Sequence, residues 1–131
     1  MADFKLACGF KQLLAEANAV IETISVQDLT YLLDDSDTVL VDVRDGQERE
    51  GDGGIAGSIH VSRGLLEFQA DPESPVYNAA LNNERKLVLY CGTGGRSALA
   101  AKTLKDMGYS DVASLAGGMA AWQAAGLQSD K

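Results

Sequence analysis

The sequence predicts an α/β domain built on a mainly parallel sheet. Short apolar runs (Thr38 to Val43, Leu87 to Tyr90, Asp111 to Leu115) alternate with stretches of helical periodicity, the pattern of strand–helix–strand units. Thr38 to Val43 is apolar almost throughout, as suits a central strand covered on both faces. A glycine-rich turn, Gly92 to Gly95, joins one such strand directly to a helix, and sheets of this kind place their sites at strand carboxyl ends.

The chain's 131 residues suffice for one core and not for two. Hydrophobic content of 46% with 23% charged residues is that of a soluble globular protein. No apolar run is long enough to span a bilayer, and Asp3 precedes the first lysine, unlike a secretion signal. A cytoplasmic location is therefore expected. With 11 Lys plus Arg against 19 Asp plus Glu, the net charge of −8 argues against nucleic acid or an anionic membrane as partner. The two cysteines, Cys8 and Cys91, make no disulfide or metal framework.

Taken in order, residues 1–23 read as a helical extension. Phe4, Cys8 and Leu14, with Ala7 and Leu13 beside them, predict an amphipathic helix to about Ala19, with Cys8 on its apolar face. The other role open to Cys8 is that of a resolving thiol for Cys91. The domain proper spans residues 24–127. Ser25 followed by Asp28 marks a helix start ahead of Leu29, Leu32 and Leu33. Asp34 to Asp37 is a solvated turn, and Thr38 to Val43 the strand already noted. Asp45 to Gly54 is polar, with a helical turn at Glu48 to Glu50. Ser58 to Val61 is a short strand carrying His60, the only histidine. Asp111 to Leu115 is the last strand, Gly117-Gly118 a turn, and Met119, Trp122 and Leu127 the packing face of the last helix. Residues 128–131 are a short tail.

The chemistry concentrates on Leu87 to Leu104. Leu87 to Tyr90 suits a buried strand; from Arg96 onward Leu99, Thr103 and Leu104 fall at helical spacing, with Gly108 as the stop. Gly92, Gly94 and Gly95 free the backbone to turn its amides inward as an anion-binding nest at the start of a helix. A thiol at the mouth of that nest, facing a guanidinium as well, has a lowered pKa and a nucleophilic thiolate. Cys91 and Arg96 enclose four residues: Gly92, Thr93, Gly94 and Gly95. Three readings compete: Cys91 as a small core residue, a degraded dinucleotide fingerprint with Ser97 in place of its third glycine, and a catalytic loop. Strand, glycines, arginine and helix all agree with the third.

At this point the chain resembles the rhodanese family of sulfurtransferases. Val41-Asp42-Val43-Arg44-Asp45 is similar to the family's Asp-Val-Arg signature, and Gly57-Ser58-Ile59-His60-Val61 to the segment after it. Cys91 to Ser97 resembles the catalytic loop, and Gly117-Gly118-Met119-Ala120-Ala121-Trp122 the Gly-Gly-x-x-x-Trp close. Arg63-Gly64-Leu65-Leu66-Glu67-Phe68 and Asp71-Pro72-Glu73-Ser74-Pro75 resemble a single-domain subgroup, in which this segment lines the site entrance. The chain departs from the family at Gly53-Gly54-Ile55, which lacks the usual Gly-His-Ile, and at Arg49, where an aromatic residue is common.

The resemblance implies a five-stranded, mainly parallel sheet with helices on both faces. It implies a sulfurtransferase that carries sulfane sulfur on Cys91 as a persulfide, from a donor such as thiosulfate to cyanide or a thiol. Gly92, Thr93, Gly94, Gly95, Arg96 and Ser97 would bind substrate, Arg63 would add positive charge, and Phe68 would wall the pocket. Asp42 and Arg44 would support the loop. His60 is expected to be structural, since a thiolate held by the loop needs no external base. No metal or organic cofactor is required; the partners are a small sulfur-containing anion, a thiol acceptor and, in the alternative reading, a sulfur-relay protein. A regulatory or sulfur-carrier module is that alternative, and a Cys-dependent phosphatase or arsenate reductase is the other.

Overall fold

A computed structural model describes residues 4–130 of the chain. The elements in order are α1 (Phe10–Val20), β1 (Glu22–Ile24), α2 (Val26–Leu32), β2 (Thr38–Asp42), α3 (Gly46–Asp52), β3 (Gly54–Ile55) and β4 (Ile59–His60). A 3-10 turn at Arg63–Leu65 leads into α4 (Leu66–Gln69). Then follow β5 (Lys86–Tyr90), α5 (Gly95–Met107), β6 (Val112–Leu115), α6 (Gly118–Ala124) and β7 (Ser129–Asp130). Five strands form one sheet in the order β1-β6-β5-β2-β4, every neighbouring pair parallel, and β3 pairs with β7 antiparallel.

The two central strands explain the layering. In β5, Leu87 and Leu89 face one way and Val88 and Tyr90 the other, because successive strand side chains alternate. Leu87 and Leu89 join Val39, Val41, Leu66, Ala100, Ala101 and Leu104 in a core under α4 and α5. Val88 and Tyr90 join Leu29, Leu40, Leu115, Met119 and Trp122 under α2 and α6. Both faces are dry, so both strands read as apolar runs. Helices lie on both sides, as the sequence led one to expect. Trp122 is the anchor of the second core, 4% exposed, with its indole N–H donating to the Gln128 carbonyl at 3.0 Å.

The ends of the chain differ from the sequence reading. The first helix begins at Phe10, not near Phe4, because Gly9 takes an extended conformation as its N-cap. Cys8 therefore lies ahead of the helix, half-buried, rather than on its apolar face. Strand β1 starts at Glu22, two residues before the expected boundary, and Ser129–Asp130 is the strand β7. Residues 1–3 of the expected extension and Lys131 lie outside the described residues.

Candidate active site

Cys91 follows β5 at the carboxyl end of the central strand and is 1% exposed. The turn after it folds the chain back over the sulfur. Gly94 sits at φ 110, a left-handed conformation that favours glycine, and is the N-cap of α5. The Gly94 N–H then points at Cys91 Sγ from 3.1 Å and the Ser97 N–H from 3.4 Å, while the Ser97 hydroxyl lies 3.6 Å away. Burial pushes the Cys91 thiol up. The Ser97 hydroxyl and the amides of Ser97, Gly94 and Thr93 outweigh it, so the thiol titrates below its ordinary value. Ser97 is itself held: its hydroxyl contacts the Gly94 carbonyl at 3.2 Å and the buried Ser114 hydroxyl at 2.8 Å.

The loop is docked from a second side by α6. The Met119 and Ala120 N–H groups donate to the carbonyls of Cys91 and Gly92 at 2.8 and 3.0 Å. This approach requires Gly118, at φ 54. A β-carbon there would run into the Cys91 carbonyl oxygen and stand 2.9 Å from the Gly92 carbonyl carbon. The Gly117-Gly118 turn thus does what close contact with the loop demands.

Arg96 leaves the loop outward, and its terminal nitrogens donate to both oxygens of Glu48 at 2.6 and 2.9 Å. That pair lies over Gly92, with Arg96 Nη2 3.2 Å from where a Gly92 β-carbon would stand. The Arg96 contact, together with the Asp45 N–H, holds the Glu48 carboxyl down at about 2, and the carboxylate in turn raises the Arg96 pKa. Glu48 is the residue the sequence reading missed. Its signal was local: Asp45 with Glu48 three residues on is a capping-box spacing, and the Glu48 side chain does accept from the Asp45 N–H at 3.2 Å.

Beneath α3 lies a buried ion network. Arg44, 1% exposed, donates to both oxygens of Asp42 at 3.0 and 2.9 Å, to Asp52 at 2.8 Å and to the Gly53 carbonyl at 2.6 Å. Burial raises the Asp42 carboxyl, but the hydrogen bonds and charge of Arg44 and the hydrogen bond from Arg49 bring it below its ordinary value. Arg44 thereby pins the end of α3, the helix that carries Glu48 to the loop.

The rhodanese-like domain family model matches residues 25–125. The chain belongs to the rhodanese family. A thiosulfate sulfurtransferase, GlpE, of Pseudoalteromonas translucida is 32% identical across 78% of this chain and 89% of its own. The Mycobacterium tuberculosis protein described as the probable adenylyltransferase/sulfurtransferase MoeZ is 34% identical over 93% of this chain, which spans only 30% of it. The chain likewise spans about a third of the tRNA uridine(34) hydroxylases it matches. Among solved structures, the polysulfide-sulfur transferase homodimer of Wolinella succinogenes superposes with a TM-score of 0.73, at 35% identity over 92% of this chain and 86% of that one. A Rhodopseudomonas palustris protein of unknown function, described as a possible tyrosine phosphatase, superposes at 0.94, with 44% identity over 99% of this chain and all of that one.

Within this rhodanese domain the remaining site candidates are distributed unevenly. Gly92 to Ser97 gather around Cys91. Arg63 does not join them: its guanidinium donates to Glu67 at 2.9 Å and to Thr103 at 3.1 Å, and Thr103 lies two turns, about 10 Å, along α5 from Arg96. Phe68 is exposed. His60 Nε2 lies 2.7 Å from the Arg44 carbonyl, a structural placement. Arg49, at the family's aromatic position, donates to Asp42, the Ser58 hydroxyl and the Ser58 carbonyl, so ion pairing ties together what a ring would cover. Among the described residues no group of His, Cys, Asp or Glu is placed to hold a metal ion, and no helix is long and apolar enough to cross a membrane.

Proposed function

We propose that this rhodanese transfers sulfane sulfur through a persulfide on Cys91. The observation that carries the reading is the convergence of the Gly94 amide, the Ser97 amide and the Ser97 hydroxyl on one buried sulfur whose titration they lower. The thiolate attacks the outer sulfur of thiosulfate; the donor's S–S bond breaks and sulfite leaves with its electron pair. The new terminal sulfur carries the negative charge, and the backbone amides of the Gly92 to Arg96 loop, with that of Ser97, stabilise it as an oxyanion hole stabilises a developing charge. A thiophile, cyanide in an assay or a thiol, then attacks that terminal sulfur and releases the Cys91 thiolate. Asp42 and Arg44 act through α3 as supports. Arg96 fixes the loop through Glu48 and offers its remaining N–H groups to the anionic donor.

A carrier role with a protein partner is the second reading, and it is favoured by the company the sequence keeps. A putative sulfur carrier protein, YrkF, of Bacillus subtilis is 28% identical over 82% of this chain, which spans 54% of it. The engagement of Arg96 by Glu48 also leaves the loop with little free positive charge for a small dianion. From the Wolinella homodimer we extend pairing of two copies to this chain as part of the proposal. A cytoplasmic site of action belongs to it as well.

Intact-mass measurement tests the chemistry. Mixing with thiosulfate should add the mass of one sulfur atom, mapped to Cys91, and cyanide should remove it. No adduct from thiosulfate, but one from a persulfidated protein donor, would favour the carrier reading. Cys91→Ser should abolish the adduct while Cys8→Ser retains it; equal losses would overturn the assignment of Cys91.

A further inference from the structure

Helix α1 runs parallel to α5. Leu14 Cδ2 lies 3.7 Å from where a β-carbon on Gly95 would stand, at the start of α5, and Lys105, near its end, donates to the Val20 carbonyl at 2.9 Å. The N-terminus of α1 therefore points toward the end of the domain that carries Cys91, and residues 4–9 precede it there. This stretch is unusually apolar on its outside. Phe4 is 83% exposed, Leu6 63%, Phe10 67% and Leu13 43%, and Ala17 is the only buried residue of α1. Other large exposed apolar side chains come in ones and twos along the chain, as Tyr31 with Leu33, Leu65 with Phe68, and Val76. Phe4, Leu6, Phe10 and Leu13 crowd into residues 4–13, and a concentration of that size calls for an explanation. Charge sets the same surface apart. Residues 4–20 carry Lys5 and Lys11 against Glu16 alone, in a chain of net charge −8.

We infer that this surface, the outer side of α1 with Phe4 and Leu6, is where a second copy of the chain docks. The inference rests on the pairing proposed above and assigns it a place. Two copies at −8 repel over most of their surfaces, and they approach at least cost where the local charge is slightly positive and the side chains apolar. The Wolinella match reaches 92% of the chain and so must extend well into residues 1–23, whereas the family model begins at residue 25. A two-fold contact uses the same patch on both copies, which suits one apolar group beside the loop rather than two unlike ones. A stable interface takes about 800 Å² from each partner. That is more than one side of an eleven-residue helix offers, so residues 4–9 share in it.

Sedimentation equilibrium of the full chain over a range of concentrations tests this, with Cys91 persulfide mass read on the same samples. Wild type should sediment at twice the monomer mass. Phe10→Glu with Leu13→Glu should weaken self-association at least tenfold, and Phe4→Lys with Leu6→Lys, which lie outside the helix and leave its folding alone, should weaken it too. Tyr31→Glu, on α2, should stay paired. A wild type that is monomeric throughout overturns the pairing, and a dimer indifferent to both double variants overturns its placement on α1. Either result leaves the persulfide readout standing on its own, so failure here is separable from failure of the sulfur chemistry.

Discussion

Glu48 grips Arg96 with both carboxylate oxygens, at 2.6 and 2.9 Å. The arginine that closes the Cys91 loop is thus fixed by a helix 48 residues away in sequence. Since the pair is well exposed, 42% for Arg96 and 38% for Glu48, solvent screens it, and Glu48→Gln should cost less than about 1 kcal/mol of stability. Sulfur transfer should suffer more, on the order of tenfold or beyond, because a loosened loop misplaces the reacting sulfur. Urea midpoints compared with turnover check this. A large loss of stability with unchanged turnover would make the pair a structural brace and nothing else.

The same pair sets an acid limit. Folded Glu48 titrates at about 2, below its ordinary value of 4.5. Between these values the unfolded chain binds the proton and the folded chain does not, so falling pH favours unfolding. The contribution is complete above about pH 4.5 and is lost as pH drops toward 2. The stability difference between wild type and Glu48→Gln should accordingly be flat from neutrality to pH 5 and shrink below it. A difference that instead grows on acidification contradicts the assignment.

Ser97 has one proton to share among Cys91 Sγ, the Gly94 carbonyl and the Ser114 hydroxyl. When Ser114 donates to Ser97, that proton is free for the thiolate. Ser97→Ala removes it and strands a buried Ser114 hydroxyl, a cost of about 1 kcal/mol. Alkylation of Cys91 should then shift to higher pH, since the hydroxyl heads the contacts that lower its titration. Iodoacetamide rates against pH read the shift directly. Superimposable profiles would assign the lowered pKa to the amides alone.

Much of this site was legible because the loop's parts are close in sequence. Strand, cysteine, glycines and helix start occupy Lys86 to Ser97, and each residue type carries its own conformational or chemical requirement. The partners that fix the loop are remote, and their signals are ambiguous locally. Glu48 in a polar stretch reads only as part of a short helical turn, and Ser114 in β6 as a strand serine. Ser129–Asp130 has no apolar pattern; it becomes a strand only because Gly54–Ile55 offers it an edge. Arg63 is the reverse case: its position beside a family-like motif suggests substrate contact, while in the fold its guanidinium is engaged by Glu67 and Thr103.

Gly118→Ala should be among the most damaging single changes outside the loop. Its added β-carbon meets backbone, the Cys91 carbonyl, rather than a side chain that can swing away. The positive φ alone costs about 1–2 kcal/mol, and the clash must come on top, for a total above about 3 kcal/mol. Gly57→Ala is the control, with φ 84 and open space around it, and should show only the backbone cost. Thermal melts of the two variants decide the point; equal losses would mean that α6 does not press on the loop.

Sulfur and phosphorus chemistry are separated by the size of the ring between Cys91 and Arg96. Phosphate- and arsenate-attacking relatives within the resemblance drawn above have five residues between cysteine and arginine, and here there are four. Two amide donors and the Ser97 hydroxyl already crowd Sγ itself, which suits one added sulfur atom more than a tetrahedral oxyanion beyond it. Attack on a phosphate ester also needs an acid to protonate the leaving oxygen. Glu48, a carboxylate that lies over the loop, is held ionised by Arg96 down to about pH 2. Wild type should therefore show no aryl phosphatase turnover above background, although a structural relative is described as a possible tyrosine phosphatase. Inserting one residue between Gly94 and Gly95 should weaken sulfur transfer, because it displaces the Gly94 and Ser97 amides from the sulfur they now face. Phosphatase turnover that is robust in wild type and lost in Cys91→Ser would overturn the sulfurtransferase reading in favour of phosphoryl transfer.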